Sequence, residues 1–147
     1  MVIRTHTLQE TYELAASFTN RLRPNLSQAT VVALEGDLGS GKTSFTQGIA
    51  KALGINDIIT SPTFVIEKIY QPQGSMLWHH MIHIDAYRLE GGRELLTLGF
   101  TELLRDPGNL IIIEWPKRVA DILPDTTTTL AFTFIDESTR EITYEEN

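Results

Sequence analysis

The sequence predicts an α/β fold in which helices cover both faces of a mixed β-sheet. The run Ala29–Leu34 is apolar and rich in β-branched residues, as a buried strand is, and a glycine-rich loop and a helical pattern follow it directly. Leu110–Ile113 is a second such run. Two further pairs of segments alternate like antiparallel hairpins, so we expect a three-layer domain with a mixed central sheet.

The length and composition suit one globular domain. The chain has 147 residues, of which 41% are hydrophobic, so we expect a single domain over residues 1–147. Because the sequence has no cysteine, disulfides, Cys-ligated zinc and thiol catalysis are excluded. It also lacks a run of about 20 apolar residues and the pattern of a signal peptide, which favours a cytoplasmic protein without a membrane span.

The net charge of −7 argues against independent nucleic-acid binding, because a phosphate backbone attracts positive charge. A local basic patch could still form on one face. The residues available for it are Lys68, Arg88, Arg93, Lys117 and Arg118.

The remaining elements follow in order along the chain. Val2-Ile3 begins a short strand, and the sequence from Thr7 to Glu10 is typical of a capping box that starts a helix. Apolar residues follow at helical spacing up to Leu22, and Pro24 and Asn25 end this helix. A helix is predicted from Lys42 to Leu53. The later elements expected are a hairpin of Phe64–Tyr70 and Leu77–Asp85 joined by Gln71–Ser75, short helices at Arg93–Leu98 and Thr101–Arg105, the strand Leu110–Ile113, and a hairpin of Thr128–Ile135 and Glu141–Tyr144 turning near Asp136–Ser138.

The loop Gly36–Thr43 matches the pattern G-x-x-x-x-G-K-[ST] at every fixed position. Its glycines let successive N–H groups point at phosphate oxygens, and the following helix adds the positive end of its dipole. Lys42 would meet the β- and γ-phosphates, and the Thr43 hydroxyl would coordinate Mg²⁺. With a strand before the loop and a helix after it, the sequence predicts a P-loop NTPase-like domain. The expected nucleotide contacts are Asp37, Leu38, Gly39, Ser40, Gly41, Lys42, Thr43, Ser44 and Trp115.

Two carboxylates follow apolar segments, at the strand ends where α/β sheets bind ligands. Glu114 could hold Mg²⁺ directly or through water, or it could be an ordinary exposed glutamate after a core strand. Asp85 could orient or deprotonate an attacking water, or it could only cap the turn that follows. Together with Lys42 these are the predicted catalytic residues, and Thr43 and Glu114 are the predicted metal ligands.

Ser61 and Thr63 lie between the P-loop helix and the next predicted strand. In phosphate-switch proteins this region senses the γ-phosphate through a hydroxyl, which makes both residues candidates for a switch loop. The alternative is that Ser61-Pro62 simply turns the chain. The residues alone leave these two interpretations even.

Trp115 and the histidines carry weaker signals. Trp115 could pack against a nucleotide or a partner, although a tryptophan in this position is more often core packing. His79, His80 and His83 do not form a convincing zinc set, so we interpret them as structural.

These motifs together resemble the TsaE family, formerly YjeE, the small P-loop ATPases of bacterial tRNA threonylcarbamoyladenosine (t6A) biosynthesis. Their order and spacing agree over about residues 34–118, and Ser40, where the family often has alanine, is a slight departure. Many families share a P-loop, but this combination is far more specific. The matching segments are Gly36–Thr43, Ser61–Phe64, His83–Arg88, Leu98–Glu102 and Ile113–Pro116.

The resemblance implies an activity and partners. TsaE proteins bind ATP and Mg²⁺, hydrolyse ATP slowly alone, and act with TsaB and TsaD, which transfer the threonylcarbamoyl group to adenosine in tRNAs reading ANN codons. The protein would thus reach tRNA only through this complex. By the same match, Thr43 and Glu114 resemble Mg²⁺ ligands, and Asp85 resembles a hydrolysis residue. Ser61–Phe64 resembles a switch loop, and Trp115 resembles the family tryptophan near the nucleotide.

Three other functions share the P-loop. A small-molecule kinase usually needs a substrate pocket and an arginine-bearing lid, for which 147 residues with two hairpins leave little room. A GTPase typically carries Asn-Lys-x-Asp, which the sequence lacks, so ATP is favoured. The third function is a nucleotide-gated binding module with negligible turnover, which the sequence hardly distinguishes from an ATPase.

Overall fold

One seven-stranded sheet organises the chain in the computed structural model, which describes residues 1–75 and 77–144. The strands are β1 (Val2–Thr5), β2 (Thr30–Glu35), β3 (Glu67–Tyr70), β4 (His80–Asp85), β5 (Asn109–Glu114), β6 (Thr128–Phe134) and β7 (Arg140–Tyr144). The helices are α1 (Leu8–Arg21), α2 (Lys42–Ala52), α3 (Gly92–Thr97), α4 (Phe100–Leu104) and a 3₁₀ helix at Pro116–Ile122.

Parallel pairing in the centre and antiparallel pairing at the flanks make the sheet mixed, which confirms the predicted fold class. The strand order is β1-β7-β6-β2-β5-β4-β3. β2 runs parallel to β5 and β6, and β5 runs parallel to β4. The two predicted hairpins are present as the antiparallel pairs β3–β4 and β6–β7, and β1 pairs with β7. The parallel strands β6, β2, β5 and β4 therefore all end at one edge of the sheet.

Helices cover both faces of this sheet and give the three layers. Along β2, Val32 and Leu34 belong to the core under α1 and α2, whereas Val31 and Ala33 belong to the core under α3 and α4. Every residue of β5 is buried, as expected of a central strand covered on both faces. Among the described residues, no helix has both the length and the apolar character needed to cross a membrane.

The helix α1 begins with the cap that its sequence predicts. Thr7 Oγ1 accepts a hydrogen bond from the Glu10 N–H at 3.0 Å, and the Glu10 carboxylate reaches back to accept the His6 N–H at 2.8 Å. The helix ends at Arg21, because the backbone of Leu22 is already extended. It therefore ends shortly before Pro24 and Asn25, the residues predicted to end it.

Close packing of α1 against α2 depends on Gly48. A Cβ added at Gly48 would lie 2.6 Å from Cβ of Ala15 and 3.1 Å from Cα of Tyr12. The Tyr12 hydroxyl also donates to the Gln47 side-chain oxygen at 3.0 Å. These contacts fix the position of α2, the helix that begins at the phosphate loop.

The first hairpin is shorter than its sequence predicts. β3 begins at Glu67 rather than Phe64, because residues 63–65 form a turn and Ile66 has left-handed backbone with a φ of 69°. β4 begins at His80 rather than Leu77. The 3₁₀ helix after β5 is an element that the hydrophobic pattern did not predict.

Candidate functional site

A cleft of about 450 Å³ lies at the carboxyl ends of β2, β4 and β5. Its volume is typical of small-molecule sites, and this edge is where open α/β sheets bind ligands. We call it the phosphate-loop cleft. Residues from the phosphate loop, the 61–63 segment and the strand ends meet there. The lining residues are Leu38, Gly39, Gly41, Lys42, Thr43, Ser44, Ser61, Thr63, Asp85, Tyr87, Glu114, Trp115 and Arg140.

The side chains of two predicted nucleotide contacts do not line this cleft. Asp37 is exposed and borders a neighbouring depression together with Lys117. Ser40 is 1% exposed, and its hydroxyl has no hydrogen-bond partner among the residues that the structure describes. The Ser40 N–H donates to the Asp37 carbonyl at 3.1 Å, which closes a turn at the tip of the loop.

Glycine is required where the phosphate loop leaves β2. Gly36 has a φ of 146°, and a Cβ there would lie 2.5 Å from the carbonyl oxygen of Phe132 on β6. Gly41 has a φ of 108° and directly precedes α2. This bend carries the chain from β2 into an 11-residue helix whose first residues, Lys42 and Thr43, line the cleft. The positive end of the α2 dipole therefore faces the cleft.

Lys42 places a buried positive charge in the cleft. Lys42 is 5% exposed. Its Nζ donates a hydrogen bond to the Gly36 carbonyl and lies 4.1 Å from the centre of the Trp115 ring. Burial lowers the pKa of Lys42, while nearby carboxylates, Glu114 foremost, oppose that shift. A cation held this way can exchange its contacts within the protein for phosphate oxygens.

Asp85 and Glu114 end neighbouring parallel strands and are register partners. They are 2% and 3% exposed, so Glu114 is not the ordinary exposed glutamate of the alternative interpretation. Asp85 does cap the turn that follows β4, because its Oδ1 accepts the Tyr87 N–H at 2.9 Å, but its Oδ2 is left for side chains. Two buried carboxylates beside Lys42 can bind a cation or polarise a water molecule.

The hydroxyl groups of Ser61 and Thr63 lie against these carboxylates. Each donates a hydrogen bond to Asp85 Oδ2 at 2.8 Å. Ser61 Oγ also lies 3.3 Å from Glu114 Oε2. The segment turns the chain as well, since the Ile66 N–H donates to the Pro62 carbonyl at 2.6 Å. The same loop can therefore turn the chain and hold two hydroxyl groups against the carboxylates, so the turn does not exclude a switch role.

Trp115 both packs in the protein and lines the cleft. It packs against the core under α3 and α4, and its backbone is left-handed with a φ of 59°. Its ring lies 5.2 Å from the ring of Tyr87, centre to centre, and faces the Lys42 ammonium. The tryptophan thereby joins the strand end of β5 to the phosphate loop.

Sequence reasoning missed two side chains at or beside the cleft. His83, interpreted as structural, is fully buried, and its Nε2 lies 2.7 Å from Glu114 Oε2. Its position two residues before Asp85, on the same face of a strand, was the available signal. Arg140 lines the cleft, with its Cγ 3.3 Å from where a Cβ on Gly41 would be. No local pattern points to Arg140, because β7 is far along the chain from the phosphate loop.

The oxygen donors at the strand ends suit a small, hard cation. Thr43 offers a hydroxyl and Glu114 a carboxylate, and proteins typically hold Mg²⁺ with one or two such groups together with substrate phosphates. Within residues 1–75 and 77–144, no group of three or more His, Cys, Asp or Glu side chains could hold a metal ion.

The chain is similar in sequence to known proteins that share one name, and similar in structure to a solved protein. The tRNA threonylcarbamoyladenosine biosynthesis protein TsaE of Treponema pallidum is 39% identical over 118 residues, which cover 80% of this chain and 83% of that protein. The protein of the same name from Bacillus subtilis is 40% identical over 114 residues, 78% of this chain and 68% of that protein. The crystal structure of Bacillus subtilis YdiB matches with a TM-score of 0.76 and 31% identity, over 98% of this chain and 83% of that one. The family described as Threonylcarbamoyl adenosine biosynthesis protein TsaE matches residues 5–142, and the chain therefore belongs to the TsaE family.

Proposed function

We propose that this TsaE protein binds ATP with Mg²⁺ and hydrolyses the ATP, in the cytoplasm, in support of t6A formation on tRNA by TsaB and TsaD. The observation that carries the proposal is that Lys42, Thr43, Asp85 and Glu114 converge on one cleft at the ends of the central strands. The names of the similar proteins support the role in tRNA modification. The missing Asn-Lys-x-Asp motif favours ATP over GTP.

The phosphate loop would bind the triphosphate through its backbone N–H groups and Lys42. The Lys42 ammonium would exchange the Gly36 carbonyl and the Trp115 ring for oxygens of the β- and γ-phosphates. Because Lys42 is already buried, much of the cost of removing water from its charge is met in the fold itself. Ser44 lines the cleft beside Thr43 and would extend the contacts along the phosphate chain.

Thr43 and Glu114 would hold the metal ion. Mg²⁺ supplies positive charge next to the phosphates where negative charge develops during transfer. The protein's part is to keep a hydroxyl and a carboxylate at fixed places, the first on the opening turn of α2 and the second at the end of β5. Glu114 is suited to this because the two flanking layers keep it away from bulk water.

Asp85 would orient the attacking water. The Tyr87 N–H donates to its Oδ1 and fixes the direction of the carboxylate. Its Oδ2 accepts the hydroxyls of Ser61 and Thr63 and would become available to water when those hydroxyls turn to the γ-phosphate. In phosphoryl transfer, positioning and charge stabilisation usually contribute more than base strength. We therefore assign Asp85 an orienting role.

The 61–63 segment would act as the switch loop and connect the site to protein partners. Its hydroxyls would exchange Asp85 for the γ-phosphate, and such a change would be transmitted to Phe64 next in the chain. Phe64 is 83% exposed, with the Arg88 guanidinium 4.4 Å from its ring centre. An exposed aromatic ring with a cation beside it suits contact with TsaB or TsaD. The net charge of −7 favours contact with tRNA only through that complex.

The test is ATP hydrolysis by wild type and Lys42→Ala, with and without TsaB–TsaD, together with t6A formation on tRNA. Lys42→Ala should lose hydrolysis by about 100-fold or more, since a charged donor aimed at the transferred group is removed. Lys51→Ala, an exposed lysine on the same helix, is the matched control and should keep both activities. The proposal fails if Lys42→Ala leaves hydrolysis and t6A formation intact.

The same assay separates the remaining alternatives. Phosphate transfer to a small acceptor would favour a kinase, and tighter binding of GTP than ATP would favour a GTPase. A negligible single-turnover rate in the assembled complex would favour a nucleotide-gated binding module.

A further inference from the structure

His83 is a buried polar side chain that the proposed chemistry does not yet use. His83 is 0% exposed. It lies on the same face of β4 as Met81, which belongs to the apolar core under α1 and α2. Burying an imidazole is unfavourable unless its polar atoms find partners. Its Nδ1 has no hydrogen-bond partner among the described residues, so its polar contact is the one made by Nε2 with Glu114.

The direction of this contact follows from the chemistry of the two groups. An ionised carboxylate can only accept a hydrogen bond, so Nε2 of His83 carries the hydrogen and donates it to Glu114 Oε2, at 2.7 Å. The strand register makes the contact diagonal, because His83 pairs with Ile112 while Glu114 pairs with Asp85. Ser61 Oγ reaches the same Oε2 from the loop side at 3.3 Å. Because the single hydroxyl hydrogen of Ser61 is donated to Asp85 at 2.8 Å, the hydrogen bond that fixes the Glu114 carboxylate is the one from His83.

We infer that His83 is a positioning residue that orients Glu114 for a divalent cation bound together with the nucleotide. The inference rests on the proposed function, in which Glu114 holds Mg²⁺. A hydrogen bond behind a metal ligand fixes the ligand's orientation, and its loss typically lowers metal affinity by roughly 10–100-fold. His83 thus acts through Glu114 and does not itself touch the cation.

A purely structural role would be to join β4 to β5. These strands are already paired at six positions from His80 to Asp85, so the ladder does not depend on one side-chain contact. A structural role would also be satisfied by an apolar residue of similar volume. The two roles therefore differ in what His83→Leu should do to cation binding.

The experiment measures, by calorimetry, the dissociation constant of ATP in Mg²⁺ and in EDTA for each variant. The ratio of the two constants is the gain in affinity due to Mg²⁺. His83→Leu and His83→Asn should reduce this gain by roughly 10-fold or more, because leucine has no donor and the asparagine amide is too short to reach Glu114. His83→Gln should keep most of the gain, since its amide can take the place of Nε2. Affinity in EDTA should be the same in all variants.

His80→Leu is the matched control. His80 lies on the opposite face of β4, where its Nδ1 is 3.3 Å from the Asn109 side-chain oxygen, and its replacement should leave the Mg²⁺ gain unchanged. Asparagine and glutamine are both polar and differ by one methylene group. The comparison of His83→Asn with His83→Gln therefore tests the inference even where His83→Leu impairs folding.

The outcomes distinguish this inference from the proposed function. If Glu114→Gln removes the Mg²⁺ gain while His83→Leu and His83→Asn keep it, the role of His83 is refuted and the metal assignment stands. If Glu114→Gln also keeps the full gain, the metal assignment and the inference fall together. Loss of the gain in His83→Asn with retention in His83→Gln supports the inference.

Discussion

Each oxygen of the Asp85 carboxylate has its own hydrogen-bond donors. Oδ1 accepts the Tyr87 N–H and thereby shapes the turn after β4, while Oδ2 accepts the hydroxyls of Ser61 and Thr63. The residue pattern predicts a capping role or a role in hydrolysis; the capping contact is present, and the role in hydrolysis stays a prediction. A substitution that keeps the shape of this side chain but removes its charge can separate the two roles.

Asp85→Asn should lower ATP hydrolysis by about 100-fold with little change in ATP affinity. Asparagine keeps an oxygen for the Tyr87 N–H and offers an amide to the neighbouring hydroxyls, so the local structure is retained. Single-turnover hydrolysis and calorimetric titration with ATP measure the two effects. Asp125→Asn, at an exposed position outside the cleft, is the control. Equal losses in rate and affinity would instead place Asp85 in nucleotide binding.

Glu67 makes the stability of the protein depend on pH. Burial raises the pKa of the Glu67 carboxyl above its ordinary value of 4.5. Because burial disfavours the ionised carboxylate, Glu67 carries no penalty below pH 4.5, where it is protonated in the folded and unfolded states, and the protein loses stability as the pH rises through the folded-state pKa. Glu67→Gln should therefore raise the Tm at pH 7 by about 1–2 °C and give no increase at pH 4.

Thermal unfolding followed by circular dichroism at the two pH values tests this prediction. The effect is small because Glu67 lies on the edge strand β3 and is only half-buried. Glu137→Gln, at an exposed turn position, is the control and should show no such difference between pH values. An equal rise of Tm at both pH values for Glu67→Gln would indicate better packing and not the removal of a charge.

At the scale of elements, local signals in the sequence predict the helices and hairpins but not every boundary. The Thr7 cap and the alternation of β6 and β7 have local causes and are found where expected. The start of β3 is missed because Ile66 adopts left-handed backbone, which a β-branched residue rarely does and no sequence pattern signals. Phe64, predicted to begin β3, instead lies in a turn at residues 63–65 that continues the loop in which Ser61 and Thr63 contact Asp85.

Gly48→Ala should destabilise the protein by about 1 kcal/mol, although alanine favours a helix. Overpacking a close contact costs about 1–3 kcal/mol, and the higher helix propensity of alanine returns up to about 1 kcal/mol. The clash is with Cβ of Ala15 and the backbone of Tyr12 on α1. Urea unfolding of the variant measures the change in the free energy of unfolding.

A double-mutant cycle identifies the cause of that loss. Ala15→Gly combined with Gly48→Ala removes the closest clash, so the double variant should be more stable than the sum of the single changes predicts. Gly91→Ala, where an added Cβ meets no atom within 4 Å, is the control for glycine replacement. Additive effects at positions 15 and 48 would contradict the packing explanation.

At the scale of the whole molecule, the sequence predicts the parts of the site that lie within short motifs. It does not predict the contacts that depend on how distant strands align. The phosphate loop and the carboxylates at the ends of β4 and β5 carry local patterns, and they line one cleft. The contact of His83 with Glu114 depends on how β4 aligns with β5, and the place of Arg140 depends on β7 reaching the phosphate loop. Neither alignment can be read from one chain segment.

The parallel centre of the sheet also has a consequence for the order of folding. Val32 of β2 is aligned with Ile112 of β5 and with Thr128 of β6, partners that are remote along the chain. Such pairings close long loops and form slowly, whereas the hairpins and the α1–α2 contact are more local. The bend at Gly36 lies against Phe132 of β6, so the phosphate loop reaches its final shape only when β6 is in register. During refolding, the phosphate loop should therefore become able to bind nucleotide only after β6 has paired with β2.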